Sequence, residues 1–71
     1  MKLHYYPETD SLYIELRAAP SAETREIADG FNVDFDKDGN VVGVDIDGAS
    51  KKLDLTSLEA TDLPFASLKA A

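Results

Sequence analysis

The chain has 71 residues, contains no cysteine and carries a formal net charge of −7 at pH 7. A chain of this length forms one domain and buries only about 60% of the surface of its unfolded state, so its stability margin is small. The lack of cysteine excludes disulfides and thiolate-bound metal centres. We therefore expect self-association, as a homodimer, to supply part of the stability.

The composition also disfavours several classes of partner. Acidic residues number 14 against seven Lys and Arg, and nucleic-acid affinity comes largely from Lys and Arg contacts to phosphate. The first ten residues lack the apolar segment of a signal peptide, and no run approaches the about 20 apolar residues of a membrane span. We expect a cytoplasmic protein that binds neither nucleic acid nor membrane and that attracts basic proteins.

The first 47 residues are typical of β-strands. The segments KLHYY and SLYIELR flank PETD, in which Pro7 and Asp10 are turn-forming residues. Leu12, Ile14 and Leu16 recur at every second position, which indicates a half-buried strand. The segments ETREIA, FNVDF and VVGVDID predict three further strands.

The last two of these strands are predicted to form a hairpin through Asp38-Gly39. This dipeptide favours a two-residue type I′ turn, whose central residues both need positive φ. Such a turn would align three apolar pairs: Phe31 with Ile46, Val33 with Val44, and Phe35 with Val42. The opposite face would then carry Asn32, Asp34, Asp36, Val41, Gly43, Asp45 and Asp47.

The pattern changes after Gly48 to one typical of short helices. The segment TSLE at 56–59 fits a capping box, and Asp62 could cap a further helical turn. Residues 1–48 are thus predicted to form an antiparallel sheet of about five strands built from hairpins. Residues 49–71 are predicted to form a helical tail that packs on this sheet or on a partner subunit. The expected fold is mostly β, in the α+β class, with one domain.

The hairpin segment DFDKDGNVVGVD also matches the spacing of a calcium-binding EF-hand loop. Its oxygen ligands would come from Asp34, Asp36, Asp38 and Asp45, with Gly39 at the sharp turn. However, an EF-hand loop is held between two helices, and the flanking segments here carry glycine and β-formers. We therefore predict no cofactor and no specific metal site, and keep a divalent-cation binder as the first alternative.

The aspartates of the predicted hairpin have two other interpretations. Exposed charges keep a small sheet soluble and discourage strand addition at its edges. Alternatively, Asp34, Asp36, Asp45 and Asp47 form an electrostatic face that binds a basic partner. The apolar residues proposed for self-association lie in the tail: Leu55, Leu58, Leu63, Phe65 and Leu68.

Histidine occurs once, at position 4. His4 could act as a general base beside Glu15 or Tyr13, which gives a small enzyme as the second alternative. Without a cysteine or a second histidine, a nucleophile–base–orienter triad has little to build on. We predict that the protein is not an enzyme and has no catalytic residues.

The segments YYPETDSLYIEL and AETREIADGFNVDFDKDGNVVGVDIDGASKKL resemble a bacterial family catalogued as domain of unknown function 2283. The likeness covers about residues 2–53, and its matching positions are Tyr5, Asp10, Leu12, Tyr13, Ile14, Leu16, Gly30, Val33, Asp34, Asp36, Gly39, Val42, Gly43, Ala49 and Ser50. At Asp47 the chain departs from the family, which more often has an apolar residue there.

The resemblance implies a small antiparallel sheet and no catalytic residues. Family members are frequent neighbours of small toxin-like genes, so the resemblance also implies an antitoxin role with a small basic toxin as partner. From residues and resemblance together, we expect a non-enzymatic, acidic protein-interaction module that forms a homodimer.

Overall fold

The computed structural model describes residues 1–64 and 66–69. Within these residues, five strands precede one short helix: β1 (Lys2–Tyr6), β2 (Ser11–Glu15), β3 (Glu23–Ala28), β4 (Phe31–Phe35), β5 (Val41–Asp47) and α1 (Ala49–Lys52). All strand pairs are antiparallel, in the order β1-β2-β5-β4-β3. The predicted mostly-β fold is confirmed.

Strand β5 lies at the centre of the sheet and pairs with β2 on one side and β4 on the other. Val44 faces both Ile14 and Val33, so three apolar side chains share one face. Ile46 likewise faces Leu12 on β2 and Phe31 on β4. Because side chains alternate along a strand, the intervening residues of β5 face the other way.

The predicted two-residue type I′ turn at Asp38-Gly39 is wrong. The Gly39 N–H donates to the Asp36 carbonyl (3.1 Å) and the Asp36 N–H donates to the Asn40 carbonyl (2.9 Å). Within this loop only Gly39 has positive φ, at 85°. The geometry is a type I turn followed by a left-handed glycine, which is the common three-residue alternative.

The side chain of Asp36 explains the longer loop. One carboxylate oxygen accepts the N–H groups of Asp38 and Asn40, each at 2.9 Å. These bonds give two backbone N–H groups of the longer loop a hydrogen-bond acceptor. Asp side chains commonly accept backbone N–H groups of a turn in this way. Hydrogen bonds from Asn40 are the main reason that the pKa of Asp36 is lowered.

The longer loop shifts the strand register at its end. Asp34 faces Gly43, but Phe35 faces Val41, so Val42 is an extra residue in β5. The predicted pairing of Phe35 with Val42 is therefore wrong, and Val41 lies opposite Phe35 rather than on the aspartate face. Val42 is 2% exposed, and its carbonyl accepts the Leu16 N–H (2.9 Å) where the β2–β5 pairing ends. This is a β-bulge.

The outer strand β3 also contains an irregularity. Its register against β4 shifts between Glu26 and Ala28, and all six of its residues are exposed. The Glu26 carboxylate accepts the N–H of Gly30 at 3.2 Å. In contrast, the other outer strand, β1, pairs with β2 in an unbroken register from Lys2 to Tyr6.

The core lies on one side of the sheet and is small. Within the described residues, the buried apolar side chains are Leu12, Val33, Val42, Ile46 and Ala49. Leu12, Ile46 and Ala49 form a cluster on which Leu53 packs. Helix α1 therefore contributes one fully buried residue, Ala49, to the apolar face of the sheet.

Asp10 fixes α1 to the turn between β1 and β2. Its carbonyl accepts the Ala49 N–H (2.8 Å), and its carboxylate accepts the N–H (3.0 Å) and the hydroxyl (2.7 Å) of Ser50. The Tyr5 hydroxyl donates to the same carboxylate at 2.7 Å. These bonds, that from Tyr5 foremost, hold the pKa of Asp10 below its ordinary value.

The predicted capping-box helix at 56–59 is wrong, since residues 53–64 and 66–69 contain no helix. Both the N–H (3.0 Å) and the hydroxyl (2.5 Å) of Thr56 donate to the Asp54 carboxylate. This local bonding competes with helix formation. Asp62 has φ of 56°, whereas an N-cap residue usually has β-region dihedrals.

We predict that Asp10→Asn weakens the fold in a pH-dependent way. The lowered pKa means that ionised Asp10 contributes stability above the ordinary carboxyl pKa of about 4, and that this contribution is lost as pH falls through the lowered pKa. The variant should therefore have a lower Tm than the wild type at neutral pH, with the difference shrinking in acid. Thermal unfolding followed by circular dichroism between about pH 2 and pH 7 measures this.

Asp62→Asn is the matched control, because Asp62 also has positive φ, at 56°. Asn tolerates this conformation as Asp does. A Tm difference for Asp10→Asn that stays constant with pH, or an equal effect of Asp62→Asn, would contradict the assignment.

Candidate functional site

One face of the sheet, here called the acidic face, is polar throughout. The register places Tyr13 of β2, Asp45 of β5 and Asn32 of β4 side by side. Asp34 lies opposite Gly43, and Asp47 lies opposite Ser11, on the same face. The pairing places five carboxylates and one lysine there: Glu15, Glu26, Asp34, Asp45, Asp47 and Lys2.

Asp34 is held by neighbours on both sides. The Tyr13 hydroxyl donates to one carboxylate oxygen at 2.9 Å, and the Thr24 hydroxyl donates to the other at 2.5 Å. To reach Asp34, the ring of Tyr13 crosses β5 above Gly43, where a Cβ atom would collide with it. Tyr13 therefore links β2 to β4 across the central strand.

Asp47 and Asp45 occupy neighbouring positions on β5. Asp47 accepts hydrogen bonds from the Ser11 hydroxyl (3.4 Å) and the Asn32 amide (3.3 Å). Partial burial, and then the charges of Asp47 and Asp34, raise the pKa of Asp45. An added cation at this position would favour the ionised form of Asp45.

The cations of the chain do not neutralise this face. Among residues 1–64 and 66–69, the one ion pair joins Arg25 to Glu23, at 3.3 Å. Arg25 lies opposite Val33 and therefore on the apolar side of the sheet. Asp34, Asp47 and Glu26 instead accept hydrogen bonds from hydroxyl, amide and backbone N–H groups.

Of the four aspartates predicted to form an electrostatic face, the structure brings three together. Asp34, Asp45 and Asp47 share the acidic face, whereas Asp36 lies in the loop after β4 and bonds to the loop backbone. The prediction omitted Glu15 and Glu26. The alternation along β2 could have placed Glu15, but Glu26 reaches this face through the register shift between Glu26 and Ala28, which no local pattern indicates.

The geometry gives no support to the calcium alternative. Asp34 and Asp45 lie on the sheet, whereas Asp36 and Asp38 lie in the loop, and both oxygens of Asp36 accept hydrogen bonds. In the part of the chain that the structure describes, no three His, Cys, Asp or Glu side chains are grouped to hold a metal. The prediction that no cofactor is bound stays a prediction.

His4 lies on the exposed outer strand β1. Its ring stacks on Tyr6 with centroids 4.2 Å apart, and it faces Tyr13 across the β1–β2 pair. Glu15 faces Lys2 instead, two residues along the strand. The absence of enzymatic activity likewise stays a prediction.

The tail residues predicted for self-association differ in their contact with the sheet. Leu55 is 42% exposed and lines a groove with Leu3, Leu12 and Ile14 of the sheet. Leu58, Leu63 and Leu68 are exposed, and Phe65 lies outside the described residues. No helix of the described residues is long and apolar enough to cross a membrane.

Comparison with known protein families gives one match. The family described as protein of unknown function (DUF2283) matches residues 2–50, which include all five strands and the start of α1. The chain belongs to the DUF2283 family. Comparison with curated proteins gave no match, and comparison with solved structures gave none either.

The fold gives a physical reason for several positions on which the DUF2283 resemblance rests. Tyr5, Asp10, Ala49 and Ser50 are far apart in sequence but form one hydrogen-bonded group. Asp47 lies exposed on the acidic face. Its hydrogen bonds to Ser11 and Asn32 suit that position.

We predict that Gly43→Ala destabilises the sheet through Tyr13. The added Cβ would displace the Tyr13 ring and its hydroxyl from Asp34, at a cost of about 1–3 kcal/mol, as is usual for overpacking. Urea unfolding of a double-mutant cycle with Tyr13→Ala measures this, because the space above Gly43 is open once the ring is removed. An equal cost of Gly43→Ala in both backgrounds would contradict the role of Tyr13.

Proposed function

We propose that this DUF2283 domain is a non-enzymatic interaction module that presents its acidic face to a basic protein. One observation carries the proposal: Asp34, Asp45 and Asp47 lie on one face of the sheet, and no cation of residues 1–64 and 66–69 is among their hydrogen-bond partners. The pKa of Asp45 is raised by partial burial and then by the charges of Asp47 and Asp34, and this second cause reflects the negative potential that a basic partner would meet.

The spacing of the carboxylates suits an extended cationic surface. Neighbouring strands lie about 4.8 Å apart and alternate residues about 6.7 Å apart along a strand, so each carboxylate can meet a separate Lys or Arg side chain. A single small cation would instead need several carboxylate oxygens converging within about 2.6 Å of one point. A basic protein surface therefore fits this face better than a metal ion does.

The expected contribution of this face is to association rate and partner choice. Each exposed ion pair is worth about 0.2–1 kcal/mol, so three pairs give roughly tenfold in affinity. Electrostatic complementarity acts mainly through the rate of encounter and falls with salt. High affinity would need apolar contacts as well, for which the exposed Tyr6 lies on β1 at the edge of the same face.

We predict that Asp34→Asn, Asp45→Asn and Asp47→Asn together weaken binding of a synthetic oligo-arginine peptide about tenfold. Asn preserves side-chain size but has one acceptor oxygen, so at position 34 either Tyr13 or Thr24 keeps its acceptor. The other hydroxyl accepts from the amide NH2 instead. Fluorescence anisotropy at low salt measures the affinity, and circular dichroism checks the fold.

The matched control combines Glu8→Gln, Asp29→Asn and Glu59→Gln, three exposed acids outside the sheet strands. It changes the net charge of the protein by the same amount as the triple Asn variant. From this change in net charge alone, we expect about a twofold loss of affinity for the peptide. Equal losses for the two triple variants would show that net charge, and not the acidic face, binds the peptide.

The finer form of the proposal makes the domain the antitoxin of a two-gene pair. Its support is the gene neighbourhood implied by the family resemblance, together with the charge that a small basic toxin would meet on the acidic face. Direct nucleic-acid binding has no part in this role, because the net charge of −7 opposes it.

We predict that co-expression of this chain relieves growth arrest caused by a small basic protein encoded beside it, and that the triple Asn variant of the acidic face fails to do so. The Glu8, Asp29 and Glu59 variant should still relieve arrest. A neighbouring product that arrests growth regardless of this chain would contradict the antitoxin role, while the peptide measurement would still test the interaction module.

A further inference from the structure

The apolar face of the sheet is covered over part of its area. Ala49 and Leu53 pack on Leu12 and Ile46, and residues 53–58 border a groove whose floor is Leu3, Leu12 and Ile14. Apolar side chains around this region stay partly exposed: Leu3 at 48%, Tyr5 at 41%, Leu16 at 39%, Val41 at 39% and Leu58 at 78%. A sheet needs a second layer over its apolar face, and the described residues supply only part of one.

Charge distinguishes the two faces sharply. The in-register ionic residues on the apolar side are Arg25 and Glu23 of β3, which pair with each other. The guanidinium of Arg25 also lies over the ring of Phe35, 4.0 Å from its centroid. On the same side, Lys52 lies with its Nζ 5.8 Å from the centroid of the Phe31 ring, and Asp54 borders the groove, so these two charges also offset each other. The apolar face is therefore close to neutral, although the chain as a whole carries −7.

This separation of charge favours a second copy as the occupant. Two chains of this charge repel each other when their acidic faces approach, but contact through the apolar faces directs both acidic faces outward. A basic protein, in contrast, would be drawn to the acidic face. The same apolar surface on both chains satisfies the self-complementarity that a two-fold interface requires.

The dimensions also fit. The described chain measures 31 × 30 × 20 Å, so its broad side spans about 900 Å² when the residues 53–58 that lie on it are counted as part of the contact surface. This is of the order of the ~800 Å² per partner that a standard interface buries. We propose that two copies of this chain pack through their apolar faces into a two-layer β-sandwich, with Leu3, the groove beside it and Leu58 in the interface. This inference is independent of the proposed function, because it concerns the opposite face.

The first test is the oligomeric state of the unmodified chain. Sedimentation velocity at tens of micromolar should give about twice the 7.7 kDa of one chain, and Tm should rise with protein concentration because association stabilises the folded state. Leu3→Glu should weaken dimerisation at least tenfold. His4→Glu, which adds the same charge at the adjacent position on the other side of β1, should leave it unchanged.

Because the chain has no cysteine, single cysteines can report which face is buried. Leu3→Cys and His4→Cys are adjacent exposed positions on opposite faces of β1. A short bis-maleimide should crosslink Leu3→Cys into dimers and leave His4→Cys monomeric. Crosslinking of both would show pairing along the β1 edge, and crosslinking of His4→Cys alone would show contact through the acidic face. Either result overturns the proposal.

A strict monomer at high concentration would also overturn it. If that monomer sediments with phosphatidylcholine vesicles, and Leu3→Glu abolishes this, the apolar face binds lipid instead. None of these readouts involves the oligo-arginine peptide. A result that overturns the dimer therefore leaves the test of the acidic face unaffected, and a negative peptide result leaves the dimer test unaffected.

Discussion

The hydrogen bonds of Asp10 determine where the chain that follows β5 packs on the sheet. Its carbonyl and carboxylate join the β1–β2 turn to the first turn of α1 and, through Tyr5, to the outer strand. This contact sets where the chain leaves β5 and brings Ala49 onto Leu12 and Ile46. From there residues 53–58 lie over the region around Leu3 and Ile14. The uncovered part of the apolar face is thus a consequence of this junction.

The central strand gives the two faces their different chemistry. Between positions 43 and 47, apolar and polar residues of β5 alternate without interruption, and both neighbouring strands align their own alternation with it. The bulge at Val42 ends this alignment near the loop. Glycine at 43 is required because Tyr13 crosses the strand there. One strand therefore determines both a neutral surface and an acidic one.

Much of the sheet could be predicted from the sequence because period-two alternation is a local signal. It gave the strands and the pairs Phe31–Ile46 and Val33–Val44. The turn could not be predicted from Asp38-Gly39 alone, since the outcome depended on the side chain of Asp36 accepting two backbone N–H groups. In the tail, the capping-box pattern competed with the bonding of Thr56 to Asp54. Local spacing did not show which would prevail. The contact of Tyr13 with Asp34 required the strand order, which is a property of the whole fold.

The two edge strands of the sheet, β1 and β3, differ in their regularity. The β3 end is interrupted between Glu26 and Ala28 and carries charged residues on both of its faces, so another strand would find few aligned backbone groups there. The β1 end is regular. Strand addition at the β1 edge alone does not continue, because pairing two copies through β1 leaves only the two irregular β3 edges exposed. The irregularity in β3 thus limits strand-to-strand assembly of this sheet to a closed pair.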